Sequence, residues 1–424
     1  MNETSPSVTN LSVNGGRLWQ SLMEIGEIGA TPKGGVCRLA LSDEDRQGRD
    51  LFIRWCEEVG CTIRIDRMGN IFARRAGLDN SLPPIMTGSH LDTVPTGGKF
   101  DGILGVMAGL EVLRTLHDLD YVTRAPVEVA VWTNEEGSRF SPAMVSSGVF
   151  AGAIPMETAK ARTDKDGKTL GEELKRIGYE GEDEVGGRPV SAFFELHIEQ
   201  GPVLEAEKKT IGVVTGVQAF RWYELKLVGQ DAHAGTTPME ARRDALLGAA
   251  DIIREVDRIA RDAGPLGRGT VGFLTAAPNG RNVITGEVFM CVDLRHPDDA
   301  VLVEMGKTLA NAAAKIAADH RLALDFREIV HTPAVEFDVV CIGMVRAAAE
   351  KRGLPHRDII SGAGHDAVYM ARVAPTSMIF VPCKDGLSHN EAEWATPEDC
   401  AAGCAVLLDA LLSFDATLAA APKA

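Results

Sequence analysis

The sequence predicts an α/β protein of two domains, one of them interrupted by the other. Helix-like and strand-like apolar patterns alternate along the chain, with no internal repeat and no low-complexity linker. At 424 residues the chain is longer than one ordinary core requires. From about residue 216 to 331 the patterns run strand, helix, strand, strand, helix, strand, which fits a compact α+β insert with its helices on one sheet face. Residues 1–215 and 332–424 then form one discontinuous domain around the insert at 216–331.

The first clear element is a helix opened by Ser42 and Asp45, a capping pattern. Leu51, Phe52, Trp55 and Val59 form its apolar stripe, and Gly60 ends it. "CTIRID" alternates with period two, as a half-buried strand does. "PIMTGS" and "VEVAVWT" are further strands, with a helix over 103–118 between them. The charged stretch from Lys160 to Arg188 reads as solvated helix and loop, and "AFFELHI" as a strand. Within the insert the strands are "YELKLVG", "GTVGFLTA", "GEVFMCVDLR" and "LALDFREIV", with helices over 240–262 and 298–318. A helix over 338–352, the strand "SMIFVP" and a helix over 397–414 complete the order.

Composition narrows the function. The chain is 45% hydrophobic and 25% charged, the balance of a soluble globular protein. Its net charge of −16 disfavours nucleic acid, because phosphate contacts need a basic surface. The opening "MNETSPSVTN" lacks the basic and apolar segments of a secretory signal, and no apolar run reaches the roughly 18 residues of a membrane span. A cytoplasmic protein is expected. The eight cysteines lack CxxC spacing, and Cys400 and Cys404, one helical turn apart, read as buried reduced thiols.

Histidines and acids gather at element ends. "TGSHLDTV" puts His90 and Asp92 after a strand, and "GGKFDGILG" puts Asp101 in a Gly-rich loop before a helix. "NEEG" offers Glu135 and Glu136, "FFELHIEQG" offers His197, and "GLSHNEAEW" offers His389. Each alone is more often a hydrogen-bonded or solvated structural residue. Their joint placement at strand ends, where α/β sheets collect functional groups, makes a metal site a candidate. "GAGHDA" fits G-x-G-x-x-A with Asp385 further on, but it opens no βαβ unit. Neither G-x-S-x-G nor H-E-x-x-H occurs.

The series "SHLDTV", "GGKFDGILGV", "NEEGSRF", "ELHIEQGPVLE", "GQDAHAGTTPM", "DALLGAA", "PNGRNVI", "SGAGHDA" and "GLSHNEAE" resembles the amidase branch of the M20 metallopeptidase-like hydrolases. That branch contains N-carbamoyl-L-amino acid hydrolases, β-ureidopropionases and allantoate amidohydrolases. The resemblance runs from about Leu18 to Leu412 in the family's order.

The resemblance implies a dinuclear-metal hydrolase domain carrying an inserted lid and dimerisation domain. His90 and His197 would hold one divalent ion, Glu136 and His389 a second, and Asp101 would bridge them. Zinc leads, although mixed imidazole and carboxylate ligation also suits manganese, cobalt or nickel. Asp92 would accept the second ring N–H of His90. Glu135 would stay free as general base, moving a proton from the bridging water to the leaving nitrogen. Gln200, His233, Asn282, Arg295 and a backbone group of Gly364 match the family's substrate contacts, with His233 facing the oxyanion. Arg295 could grip a substrate carboxylate with two parallel bonds.

The expected reaction is hydrolysis of the ureido group of an N-carbamoyl amino acid to amino acid, ammonia and carbon dioxide. Allantoate hydrolysis and an M20-type peptidase or deacylase are the alternatives. "GTTPM" and "GAGHDA" favour the ureido substrates over a peptide. A homodimer formed through the insert is also implied.

Overall fold

The computed structural model describes residues 11–419, and the opening "MNETSPSVTN" lies outside them. The chain divides into two compact units. One comprises the segments up to Gly216 and from Glu336 onward, and the other is Val217–Val335. In chain order the strands before the insert are β1 (Thr62–Ile65), β2 (Ile71–Arg75), β3 (Ile85–His90), β4 (Val127–Trp132), β5 (Ala192–Ile198) and β6 (Ile211–Val217). The insert carries β7 (Ala219–Val228), β8 (Ala232–His233), β9 (Arg268–Ala277), β10 (Val283–Ile284), β11 (Glu287–His296) and β12 (Ala323–Thr332). The chain then adds β13 (Val335–Glu336), β14 (His356–Ser361) and β15 (Thr376–Val381).

The larger unit is built on a sheet that contains the order β1-β2-β4-β3-β5-β15-β6, with β14 also paired to β6. Its four central strands, β4, β3, β5 and β15, run parallel to one another. All their residues are buried, which accounts for the apolar runs in their sequences. Parallel pairing returns the chain to the same side before each strand, so the four strands end along one edge. That edge is where loops of an α/β sheet assemble a site.

Helix Ile103–Asp118 is buried along nearly its whole length, and together with helix Pro397–Ala419 it packs on the central strands. The latter corrects the expectation that no segment could span a membrane: Pro397–Leu418 is long and apolar enough by length and composition. It is instead a core helix. Cys404, Val406, Leu407, Leu408 and Leu411 are buried, and Asp409 pairs with Arg352 at 2.7 Å. Cys400 and Cys404 are free and buried, as expected.

Sequence patterning missed the two-residue strands β8, β10 and β13 and three longer ones. β2, "IFARR", is too short to alternate visibly, and β6, "IGVVTGV", carries glycines that read as breakers. β14, "HRDIIS", is a strand despite its charges, because it lies half exposed beside β6. The helix after "GAGHDA" is only Ala367–Met370, too short to offer a phosphate the amide array of a dinucleotide fold.

The insert is a four-stranded antiparallel sheet, β12-β7-β11-β9, with β8 and β10 forming a separate short ribbon. Tyr223, Leu225 and Leu227 lie directly opposite Val292, Met290 and Val288 on one face, packing on helices Ala245–Asp262 and Asp299–Asp319. The first helix starts later than the 240 expected, because Asp244 caps it through the N–H groups of Leu246 and Leu247. Met239–Ala241 forms a separate 3₁₀ turn.

Candidate metal centre

The C-terminal ends of β3 and β5 deliver His90 and His197, and the turn after β4 delivers Glu135 and Glu136. Asp101 stands in the loop ahead of helix Ile103–Asp118, and His389 in the loop after β15. His90, Asp101 and His197 present ligand atoms that all lie within 4.8 Å of one another, and so do Asp101, Glu136 and His389. Asp101 belongs to both groups. Its Oδ1 lies 3.1 Å from His197 Nε2 and 3.8 Å from His90 Nε2, while its Oδ2 lies 3.3 Å from His389 Nε2. One carboxylate therefore faces each set with a different oxygen.

The backbone fixes which ring nitrogens are available. His90 Nδ1 donates to the carbonyl of Asp92 and His197 Nδ1 to that of Ile198, both at 2.8 Å. Each ring therefore points Nε2 at the centre. Two neighbours make opposite demands on His197 Nε2: the Gly102 N–H approaches it at 3.1 Å as a donor, while Asp101 favours a proton there. Burial opposes that proton, but Asp101 outweighs it and raises the His197 pKa to about 9. His90 goes the other way, lowered to about 4 by burial.

Asp92 departs from its expected role. Its carboxylate does not accept from His90, which bonds the Asp92 main-chain carbonyl instead. The side chain turns to the N–H groups of Glu135 and Glu136, each at 3.2 Å. Asp92 thus orients the paired glutamates, and burial pushes its own pKa to about 7.

Glu135 and Glu136 part company in space. Glu136 Oε2 lies 3.4 Å from His389 Nε2, inside the second group, whereas Glu135 Oε2 lies 3.5 Å from His90 Nε2 and belongs to neither group. Burial, reinforced by neighbouring carboxylates, raises both acids well above the usual range. Among the described residues, the ion-pair partners of Asp101, Glu135 and Glu136 are all histidines, with no lysine or arginine. Crowded buried acids without such a cation are destabilised by one another, and divalent ions relieve this. The donor set, imidazole nitrogen with carboxylate oxygen, suits zinc and its first-row neighbours. Gly102 permits the packing: it adopts φ +70°, and a Cβ there would stand 2.2 Å from His90 Nε2.

Gln200, at φ +56°, donates Nε2 to Asp101 Oδ2 at 2.8 Å. Gly364 lies in the loop between β14 and the short helix Ala367–Met370. On the insert, the N–H groups of Gly235 and Thr236 approach His233 Nδ1 as donors, leaving Nε2 as the N–H that faces outward. Asn282 is its neighbour, its carbonyl accepting the Ala234 N–H at 2.9 Å. Arg295, the expected carboxylate grip, is engaged by Asp293 through Nε and Nη2 and lies over the Phe220 ring.

Sequence reasoning missed four buried groups. Glu195 accepts from Ser89 Oγ at 2.7 Å and from the Ala367 N–H, tying β3 and β5 to the Gly364 loop. His365 packs edge-on against His197, with ring centroids 4.5 Å apart. Asp366 accepts from Ser147 Oγ. Glu393 accepts the N–H groups of Phe100 and Asp101. All four sit inside or beside the quoted motifs, and that adjacency was the available signal.

Residues 86–413 match the model of peptidase family M20/M25/M40. An N-carbamoyl-L-amino-acid amidohydrolase of Rhizobium meliloti is 50% identical over 95% of this chain and 97% of its own length. A ureidoglycolate hydrolase of Arabidopsis thaliana is 33% identical over 94% of this chain and 86% of its own. The crystal structure of a hydantoinase/carbamoylase family amidase from Burkholderia multivorans superposes with a TM-score of 0.93 at 60% identity, covering 95% of this chain and 98% of that one. With a family match over most of its length and these relatives along nearly all of it, the chain belongs to peptidase family M20/M25/M40.

Proposed function

We propose that this chain is a dinuclear-metal amidohydrolase that cleaves the ureido group of N-carbamoyl amino acids. One water is consumed, and the products are amino acid, ammonia and carbon dioxide. The observation that carries the reading is Asp101 shared between two ligand groups, with Glu135 beside them and in neither. His90 and His197 would hold one ion and Glu136 and His389 the other, zinc being the first choice. Such a pair of ions supplies a water of lowered pKa and polarises the scissile carbonyl.

The remaining work falls to the chain. Glu135 takes the proton from the attacking water and gives it to the leaving nitrogen, a role open to it because it lies beside the ligand groups and belongs to neither. His233 offers its outward Nε2–H to the developing oxyanion. Arg295 leaves Asp293 for the substrate carboxylate, and Gln200, Asn282 and the Gly364 backbone fix the rest of the ureido acid.

Ammonia release distinguishes the substrates. An N-carbamoyl-α-amino acid is expected to give the highest kcat/KM, ahead of N-carbamoyl-β-alanine, allantoate and ureidoglycolate. The Arabidopsis relative makes ureidoglycolate the reading to beat. Preference for it or for allantoate would overturn the choice of substrate.

The insert is proposed to pair with that of a second copy, with His233 and Asn282 acting in the other copy's site. Mixing Glu135→Ala with His233→Ala subunits, each inactive alone, is then expected to restore about a quarter of wild-type activity by two-fold counting. No recovery after proven subunit exchange would refute shared sites.

A further inference from the structure

Glu393 lies beside the centre and has no part in the chemistry above. It is 4% exposed. Its Oε1 accepts the N–H groups of Phe100 and Asp101 at 3.0 Å each, and its Oε2 lies 2.9 Å from Ser388 Oγ. A Cβ at Gly98 would stand 2.1 Å from Glu393 Oε1, so this carboxylate fits against the loop before Asp101 only because residue 98 has no side chain. Ser388 Oγ is also 2.9 Å from Asp101 Oδ2, the oxygen that faces His389.

A serine hydroxyl has one hydrogen, so Ser388 donates to Asp101 or to Glu393 but not to both. Asp101 Oδ2 already accepts from Gln200 Nε2 at 2.8 Å. With Ser388 donating as well, both lone pairs of that oxygen are engaged and none faces a cation. With Ser388 turned to Glu393, one is released.

We propose that Glu393 is a positioning residue: it is the alternative acceptor for the Ser388 hydroxyl, and so frees Asp101 Oδ2 to ligate the ion held by Glu136 and His389. The inference rests on Asp101 being the shared ligand. Because two N–H donations tie Glu393 to the Asp101 backbone, the change requires rotation of one hydroxyl and no loop movement. In Glu393→Gln the amide oxygen can keep the two backbone bonds while its NH₂ faces Ser388. The serine must then accept from that NH₂ and donate permanently to Asp101.

The test is calorimetric titration of Mn²⁺ into the metal-free full-length protein at pH 8.5. Wild type should take up two equivalents. Glu393→Gln should bind one of them about 10- to 100-fold more weakly, the range found when a residue supporting a ligand is changed. Ser388→Ala, which deletes the competing donor, should bind both at least as tightly as wild type. The double variant should match Ser388→Ala to within about twofold. A purely structural Glu393 would show the same loss in both backgrounds, and that result overturns the proposal. So does wild-type binding by Glu393→Gln or weakened binding by Ser388→Ala, the latter holding even if Glu393→Gln fails to fold. Asp101→Asn serves as control: two tight equivalents there would refute the shared ligand itself.

Discussion

Replacing Glu135 by glutamine is expected to lower kcat by about 10²- to 10⁴-fold, the contribution of a positioned general base, with both metal equivalents still bound. Glutamine has nearly the same shape but cannot accept the water's proton. Glu135 lies outside both ligand groups, so the ions lose no ligand. The Asp92 bond to residue 135 is made by its backbone N–H and survives the change. Because the base must be ionised to act, the wild-type rate should rise with pH through the pKa of Glu135, and the variant should lose that acid limb. Two measurements decide the matter: elemental analysis of the purified variant and its steady-state kcat. Near wild-type turnover would remove Glu135 from the mechanism, and loss of metal would make it a ligand.

Asp101→Asn should have the larger effect on metal. Both groups use this carboxylate, one through each oxygen, so an amide there removes a shared anion and turns one donor atom into N–H₂. Affinity for both ions should fall by more than about 100-fold, beyond what changing a mere supporting residue does. Glu136→Ala, by contrast, touches one group and should release a single equivalent. Elemental analysis after dialysis distinguishes the two. Two equivalents retained in Asp101→Asn would mean that the groups are held independently.

The sequence made the site legible to the depth of the motifs. Burial on both faces turns β3, β4, β5 and β15 into dense apolar runs, so the strands and the residues at their ends could be located without coordinates. Partners far apart in sequence were less visible. Asp92 and His90 sit two apart, and the family resemblance implied that they bond through side chains. The turn after β4 instead presents two N–H groups that bind the carboxylate more directly. Glu393 meets Phe100 and Asp101 across 293 and 292 residues of chain, and no local pattern records such a contact. The protonation preferences of His90 and His197, opposite in direction, follow from burial and from Asp101 and could not be read from residue type.

The position of β15 has a consequence for how the protein is made. This strand comes late in the chain yet lies inside the sheet, parallel to β5 on one side and antiparallel to β6 on the other. During synthesis, everything up to residue 375 leaves the ribosome before the element that joins those neighbours. A nascent chain of that length carries two open edges where the finished protein has an interior ladder, and open edges recruit other strands. His389, which completes the second ligand group, arrives only after β15. Completion of the second ligand group is thereby a late event, and a chain stopped short of β15 has both an aggregation-prone sheet and no His389.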